Sequence, residues 1–198
     1  LTRLSEIEDN RSLKVGSCKV SVLVPARNEE DRINECIKNL LEQEHSNFEV
    51  IILDDRSTDR TGELIEYWAR EDKRVVAVKG KDLPVGWVGK HWACHQLSHM
   101  AKGDYFLFVD ADTVIASRTI LVALIESSRR DADLLTVIPS RTVSCAIEKL
   151  VYSFIDWAIF CWLPMKIADS WNNAYLSATF GQFMLFKREA YFETGGHE

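Results

Sequence analysis

The sequence lacks the cysteine spacing of a zinc site or of a disulfide framework. Its 5 cysteines lie far apart, their number is odd, and no C-x-x-C occurs. This pattern favours reduced thiols in a cytosolic compartment. The chain also lacks an excess of positive charge, because 30 acidic residues outnumber 24 lysines and arginines. That balance argues against a nucleic-acid partner.

Long hydrophobic runs are absent as well, since none reaches the roughly 20 residues that span a bilayer. The nearest is 150–165, LVYSFIDWAIFCWLPM, which Ser153 and Asp156 interrupt and Pro164 closes. Two interpretations stay open for it: a buried core helix, or an aromatic helix at a membrane surface or an apolar acceptor pocket. There are no repeats or linkers, so 198 residues with 46% hydrophobic content predict a single domain.

Short apolar runs alternate with amphipathic runs along the chain. Strand-like runs occupy 19–24, 48–53, 74–78, 105–109, 133–138 and 183–186. Helical periodicity or capping signals occupy 33–41, 57–70, 91–101 and 120–128, and another helix begins at Arg188. The order predicts an α/β fold, with an open, mostly parallel twisted sheet and helices on both faces.

Local signals suggest where these elements begin and end. Pro25 is expected to end the first strand, and the acids at 29–31 are expected in the first turn of the next helix, where they favour its dipole. The helix within 57–70 follows a serine and an aspartate that suit its N-terminus. Asp59 and Thr61 are interpreted as turn and capping residues.

Polar clusters follow three of the predicted strands: residues 25–29, the pair Asp54 and Asp55, and the pair Asp110 and Asp112. In open α/β sheets, ligands bind at the carboxyl ends of the strands. Two carboxylates one residue apart can converge on Mg²⁺ or Mn²⁺. A D-x-D pair alone also fits an ordinary solvated strand end, so the evidence lies in the agreement of three segments.

Two further motifs allow other interpretations. DADTV, 110–114, resembles the DxDxT of haloacid-dehalogenase-type phosphatases, whose first aspartate attacks phosphorus. That motif belongs on a first strand, whereas here it follows at least three strand–helix units. His91, His95 and His99 share one helical face, a spacing that is compatible with a zinc site. Without an H-E-x-x-H arrangement, a partly exposed helix face is the favoured interpretation.

Four segments together resemble family 2 glycosyltransferases: VSVLVPARNEE, VIILDDRSTDRT, Gly89-Lys90 and FLFVDADT occur in that family's order and spacing. The resemblance runs from about Lys19 to Glu198. It implies a GT-A fold with a Rossmann-like nucleotide-binding half. The segment 83–97, LPVGWVGKHWACHQL, resembles a narrower, membrane-associated subgroup linked to hopanoid or carotenoid lipid glycosylation.

The resemblance implies a nucleotide-sugar site made of ten residues: Pro25, Ala26, Arg27, Glu29, Asp54, Asp55, Lys90, Asp110, Ala111 and Asp112. Pro25, Ala26 and Glu29 would hold the base and ribose. Asp54 or Asp55 would read the edge of the base, which is expected to be uracil.

The remaining implied roles concern the diphosphate, the metal and the acceptor. Lys90 would lie near the diphosphate or the sugar. Asp112 would ligate the metal, and Asp110 would reach the ribose or the metal's water shell. Gly181 and Gln182 resemble the segment that precedes the acceptor region, although a strand entering a helix explains them equally.

The implied activity is metal-dependent, inverting transfer of a sugar from a nucleotide-sugar to an acceptor hydroxyl. We expect a UDP-sugar donor, a lipid, polyprenoid or glycan acceptor, and Mg²⁺ or Mn²⁺ as cofactor. The expected location is the cytoplasmic face of the cell membrane, either peripherally or as part of an integral membrane protein.

The general base of the family is not identified in the sequence. In the family an acidic base follows a glycine pair by several residues, whereas here only His197 and Glu198 follow Gly195-Gly196. Glu198 lies too close to be that base. We therefore expect a fragment, cut at the C-terminus and also before Leu1. A donor-binding chain without turnover is the alternative to a complete enzyme.

Overall fold

The computed structural model of the chain describes residues 16–137, 145, 147, 148, 150–154, 157 and 181–197. The chain divides into two compact units, Leu1–Val137 with Gly181–Glu198, and Ile138–Phe180. The strands of the first unit are β1 Val20–Ala26, β2 Phe48–Asp54, β3 Val75–Lys79, β4 Tyr105–Val109, β5 Leu134–Thr136 and β6 Phe183–Lys187. Its helices are α1 Ile33–Leu41, α2 Thr61–Glu71, α3 Gly89–Met100, α4 Thr119–Arg130 and α5 Arg188–Glu193.

The strands form a 6-stranded sheet in the order β3-β2-β1-β4-β6-β5. β3, β2, β1 and β4 are parallel, and β6 runs antiparallel to both β4 and β5. The predicted mostly parallel sheet is confirmed. The carboxyl ends of β1, β2 and β4 meet at one edge, because these three strands are neighbours.

Helices cover both faces of the sheet, as predicted. Val22 and Val24 of β1 pack in the core beneath α1, α2 and α4, whereas Leu23 packs on the opposite face with α3 and α5. All three side chains are fully buried. Burial on both faces explains why the strand sequences are almost continuously apolar instead of alternating.

The prediction that Pro25 ends the first strand is wrong. β1 continues to Ala26, whose carbonyl accepts a hydrogen bond from the Asp55 backbone N–H at 2.8 Å. Because backbone groups alternate in direction along a strand, Pro25 faces the side of β4, where pairing with β1 stops at Leu23 and Phe108. The missing N–H of proline therefore interrupts no hydrogen bond of the sheet.

The expected position of the acids at 29–31 is also wrong. α1 begins at Ile33, and the acidic residue of its first turn is Glu35. Residues 29–31 form a turn before the helix, where the Glu29 carbonyl accepts the Ile33 N–H and the Glu29 N–H donates to Thr61 Oγ1. Bonds to a neighbouring loop thus fix this segment, and helix-dipole capping does not.

The capping role predicted for Asp59 is confirmed at the start of α2. Its Oδ1 accepts hydrogen bonds from the Thr61 backbone N–H at 3.0 Å and the Thr61 hydroxyl at 2.6 Å. The serine of this segment, Ser57, has another function, because its hydroxyl accepts the backbone N–H of Asn28. Ser57 therefore links two loops instead of capping the helix.

In the second unit, the structure describes only part of the aromatic segment 150–165. Leu150, Phe154 and Trp157 are exposed, and the rings of Phe154 and Trp157 lie 5.7 Å apart. Residues 155, 156 and 158–165 lie outside the described part of the chain. Among the residues that are described, no helix has the length and apolar character needed to cross a membrane.

Candidate active site

A cavity of about 300 Å³ opens at the carboxyl edge of the sheet. Its lining comes from the ends of β1, β2 and β4 and from the start of α3: Pro25, Ala26, Arg27, Glu29, Asp55, Gly89, Lys90, Ala93, Asp110, Ala111 and Asp112. Nine of the ten residues proposed for a nucleotide-sugar site are in this lining. The exception is Asp54.

Asp54 and Asp55 point in different directions at the end of β2. Asp55 lines the cavity, is buried, and accepts a hydrogen bond from Arg56 Nε at 3.0 Å. Asp54 instead accepts the Ser57 backbone N–H at 3.0 Å. A Cβ at Gly62 would lie 2.8 Å from Asp54 Oδ2, so a larger residue there would displace the Asp54 carboxylate. Of the two candidates, only Asp55 can meet a ligand in the cavity.

The loop after β1 is held by the loop after β2. Asn28 has a left-handed backbone with φ of 55°, which asparagine tolerates better than most residues. Its side-chain oxygen accepts the backbone N–H of Thr58 at 2.8 Å, and its own N–H donates to Ser57 Oγ at 3.0 Å. Sequence analysis missed this role of Asn28, which places the flanking Arg27 and Glu29 at the cavity.

The first turn of α3 brings positive charge to the cavity. Lys90 Nζ donates a hydrogen bond to Asp110 Oδ1 at 2.6 Å. The first turn of α3 contains no acidic residue, and the helix begins at Gly89, which also lines the cavity. The N-terminus of a helix carries a partial positive charge and unpaired N–H groups, so this end of the cavity suits an anion such as a phosphate.

Asp112 also lines the cavity. Its Oδ2 is 3.4 Å from Arg32 NH1, in a pair whose side chains are exposed. Among the described residues, no three of histidine, cysteine, aspartate or glutamate form a group that could hold a metal ion. Asp110 and Asp112 are two hard oxygen ligands of the kind that Mg²⁺ and Mn²⁺ use, and in this structure they pair with Lys90 and Arg32.

Two buried thiols flank the cavity without contributing a nucleophile. Burial raises the pKa of Cys36 on α1 to about 12, and the negative charges of Asp112, Glu29 and Asp110 add to the shift. Burial likewise raises the pKa of Cys94 on α3 to about 12. Both groups stay protonated at neutral pH, so neither is a reactive thiolate.

The three histidines of α3 lie on one helical face, as predicted. His95 packs against two tryptophan rings, with its ring centre 4.8 Å from that of Trp87, 5.4 Å from that of Trp92 and 4.4 Å from that of His99. The described residues contain no zinc-type cluster here. Aromatic packing therefore explains these side chains better than metal binding.

A fifth histidine, His197, is a feature that sequence analysis did not single out. Its Nδ1 lies 2.8 Å from the hydroxyl of Tyr191, and its ring centre lies 4.8 Å from that of Phe108 in a tilted contact. Burial, together with the nearby positive or titratable groups of His91, Lys90 and His95, lowers the pKa of His197 to about 4. The segment after α5 is thus packed against the face of the sheet that carries α3.

Gly181 and Gln182, predicted to belong to an acceptor region, lie just before β6. Phe183 pairs with Val109, so the two residues are at the same edge of the sheet as Asp110. Both are exposed and outside the cavity lining. Their acceptor role stays a prediction, and Glu198 lies outside the described residues.

Comparison with known proteins agrees with this geometry. The profile of Glycosyl transferase family 2 matches residues 21–193. A 4,4'-diaponeurosporenoate glycosyltransferase of Staphylococcus haemolyticus is 30% identical over 186 residues, covering 90% of this chain and 47% of the relative. A poly(ribitol-phosphate) beta-glucosyltransferase of Bacillus spizizenii is 32% identical over 105 residues, covering 52% of this chain and 16% of the relative. The chain spans about half the length, or less, of these relatives.

Solved structures share the fold. The mannosyltransferase PcManGT from Pyrobaculum calidifontis, in complex with GDP-Man and Mn²⁺, superposes with a TM-score of 0.68 at 19% identity, covering 94% of this chain and 52% of that one. Residues 1–349 of S. aureus TarS, in complex with UDP, superpose with a TM-score of 0.62 at 22% identity. The match covers 89% of this chain and 49% of that one. With the match of the family profile over residues 21–193, the chain belongs to glycosyl transferase family 2 and has the GT-A fold.

Proposed function

We propose that the cavity binds a nucleotide-sugar and that the chain is the donor-binding part of a metal-dependent, inverting glycosyltransferase. One observation carries the proposal: Asp55, Lys90, Asp110 and Asp112 arise from separate strands and a helix, yet all line one cavity. The combination of a buried carboxylate, a cation and two further carboxylates matches the base, the diphosphate and a divalent metal. The phosphatase interpretation receives no support from the family match.

The nucleotide would be recognised by its base and its charge. Asp55 can accept a hydrogen bond from a ring N–H, which uracil and guanine both offer. Pro25, Ala26 and Glu29 line the cavity beside it and would hold the base and ribose. Lys90 would attract the diphosphate as a point charge. We propose UDP as the nucleotide, supported by the TarS complex with UDP, while the GDP-Man of PcManGT makes GDP the alternative.

Asp112, with Asp110, would hold Mg²⁺ or Mn²⁺. A cation there neutralises negative charge on the departing diphosphate. Both carboxylates follow β4 and line the same cavity. The Mn²⁺ of the PcManGT complex supports the same metal class.

We propose a lipid or polyprenoid acceptor at the cytoplasmic face of a membrane. The relative named for 4,4'-diaponeurosporenoate supports this class, and the segment 83–97 resembles the lipid-glycosylating subgroup. The relative named for poly(ribitol-phosphate) keeps a polymer acceptor as the second candidate. Gly181 and Gln182 are the residues that we propose lie nearest the acceptor.

Calorimetric titration of the chain with UDP and with GDP, in Mn²⁺ or in EDTA, tests donor binding. We expect UDP to bind in Mn²⁺, with Asp55→Asn and Asp112→Asn each weakening binding about tenfold or more. Asp54→Asn is the matched control, because its amide oxygen still accepts the Ser57 N–H outside the cavity. Equal affinities for the Asp54 and Asp55 variants would contradict the assignment.

Turnover requires a separate measurement. Release of UDP from UDP-glucose, with and without a lipid acceptor, distinguishes a transferring enzyme from a donor-binding module. Binding with no release would favour the module. Release that Asp112→Asn abolishes would favour the transferase.

A further inference from the structure

The loop between β3 and α3 exposes a group of apolar side chains. Leu83 is 40% exposed, Val88 is 65% exposed, and Val85 is fully exposed at 104%. Pro84, between them, is exposed too. We call these four residues the apolar tip. Single exposed apolar residues are ordinary, but a contiguous group at the end of a loop indicates an interaction surface.

The base of this loop is firmly attached to α3. The ring of Trp87 lies 5.0 Å from that of Trp92, in an edge-to-face contact. The Lys81 N–H donates to Gln96 Oε1 at 2.8 Å, and Trp92 Nε1 donates to the Lys81 carbonyl at 3.3 Å. Gly86, with φ of +91°, forms the turn in the middle. The loop is thus held at its base while the apolar tip projects outward.

The charge around the apolar tip is positive although the chain carries a net charge of −6. Lys79 and Lys81 precede it and Asp82 is the one acid between Lys79 and Lys90, whereas the charge of Lys90 is paired with Asp110 in the cavity. Lys79, Lys81 and Asp82 are exposed. Lysines that flank exposed apolar and aromatic residues are typical of segments that bind anionic lipid surfaces.

We infer that the apolar tip inserts into the interface of an anionic lipid bilayer, with Lys79 and Lys81 contacting the head groups. The inference rests in part on the proposed function, because the loop leads directly to Gly89 and Lys90 in the donor cavity. Insertion of the tip holds the cavity mouth at the membrane surface. A lipid acceptor can then reach the donor without leaving the bilayer.

The size and charge of the surface favour a bilayer over a second copy of the chain. A stable protein interface buries about 800 Å² on each partner, which four side chains do not supply. Two copies with a net charge of −6 also repel each other at low salt. Insertion of a small tip needs neither a large area nor a complementary partner surface.

Vesicle flotation of the full chain tests this inference. We expect binding to phosphatidylcholine vesicles that contain phosphatidylserine, weaker binding without phosphatidylserine, and weakening by salt. Val85→Asp is expected to reduce partitioning about tenfold, since it removes an inserting side chain and adds a repelled charge. Met100→Asp is the matched control, because Met100 is 43% exposed at the opposite end of α3.

Three readouts decide the outcome. Equal vesicle binding by the parent and Val85→Asp overturns the inference. The inference is also overturned if Val85→Asp changes the molar mass measured by light scattering but leaves vesicle binding unchanged. UDP titration is run on the same proteins, and Val85→Asp is expected to keep the parent affinity. If the parent chain does not bind UDP, but Val85→Asp still loses vesicle binding, the proposed function is refuted and the apolar tip remains a lipid contact.

Discussion

Lys90 Nζ lies 2.6 Å from Asp110 Oδ1 and so joins the first turn of α3 to the carboxyl end of β4. The lysine side chain is 52% exposed and the aspartate 24%. Exposed pairs of this kind add little to stability, typically under ~1 kcal/mol. We interpret the contact as placing a cation in the cavity that we propose binds the donor.

Lys90→Ala is therefore expected to weaken UDP binding about tenfold, while uridine binding and the melting temperature change little. The charge acts on the diphosphate, which uridine lacks. Competition titrations with the two ligands measure the difference. Lys81→Ala, which changes an exposed lysine outside the cavity lining, is the control. Parallel losses for UDP and uridine would contradict the phosphate role.

Asn28→Ala is expected to destabilise the fold by about 1–2 kcal/mol, because alanine is strained at φ of 55° and loses the bond to Thr58. Asn28→Gly relieves the strain but not the lost bond, so it should cost less. Urea unfolding measures both. If the two variants were equally stable, left-handed strain would have no part in the role of Asn28.

Gly103→Ala is expected to lower the free energy of unfolding by roughly 2–3 kcal/mol, a large effect for so small a substitution. A Cβ at Gly103 would lie 2.5 Å from the Ser21 backbone N and 2.8 Å from the Lys19 carbonyl oxygen, so the backbone of β1 would have to move. Gly181→Ala is the control, since no atom of the described residues lies within 4 Å of a Cβ there. Thermal unfolding of the two variants should separate them by many degrees.

His197 predicts a pH dependence of stability. Its pKa is about 4 in the folded chain against an ordinary value of 6.5, with burial as the main cause. Between these values the unfolded chain binds the proton and the folded chain does not, so stability falls as pH drops from 6.5 towards 4. Below pH 4 this contribution levels off.

His197→Phe is expected to flatten that part of the curve. The measurement is the free energy of unfolding at several pH values for the parent, for His197→Phe and for the control His99→Gln, which changes an exposed histidine of α3. Carboxylates titrate in all three proteins and cancel in the differences. The same pH slope in parent and His197→Phe would refute the assignment.

Much of the fold follows from local patterns. The predicted helix 33–41 and strand 105–109 have the bounds that the structure shows. Apolar periodicity predicts these elements, because it indicates which side of each helix or strand is buried. β5, at 134–136, is shorter than the predicted 133–138, since strand ends depend on the partner strand, here β6.

The candidate site was also predicted in part from the sequence. From sequence alone, three strand ends with polar residues predicted one ligand edge, and nine of ten proposed residues line its cavity. The sequence did not decide between Asp54 and Asp55. Adjacent side chains along a strand point to opposite sides, and the sequence does not show which side faces the cavity. Asn28 was missed because its partners, Ser57 and Thr58, are about thirty residues away in the chain.

The sequence by itself determined the order of strands and helices, the ligand edge and the family resemblance, all of which depend on residue type and spacing. Only the tertiary structure decided that Asp55 faces the cavity and Asp54 does not, that Pro25 remains within β1, and that Lys90 meets Asp110. These outcomes depend on side-chain direction and on neighbours distant in the chain. No local pattern encodes such contacts, because they arise only when the sheet assembles.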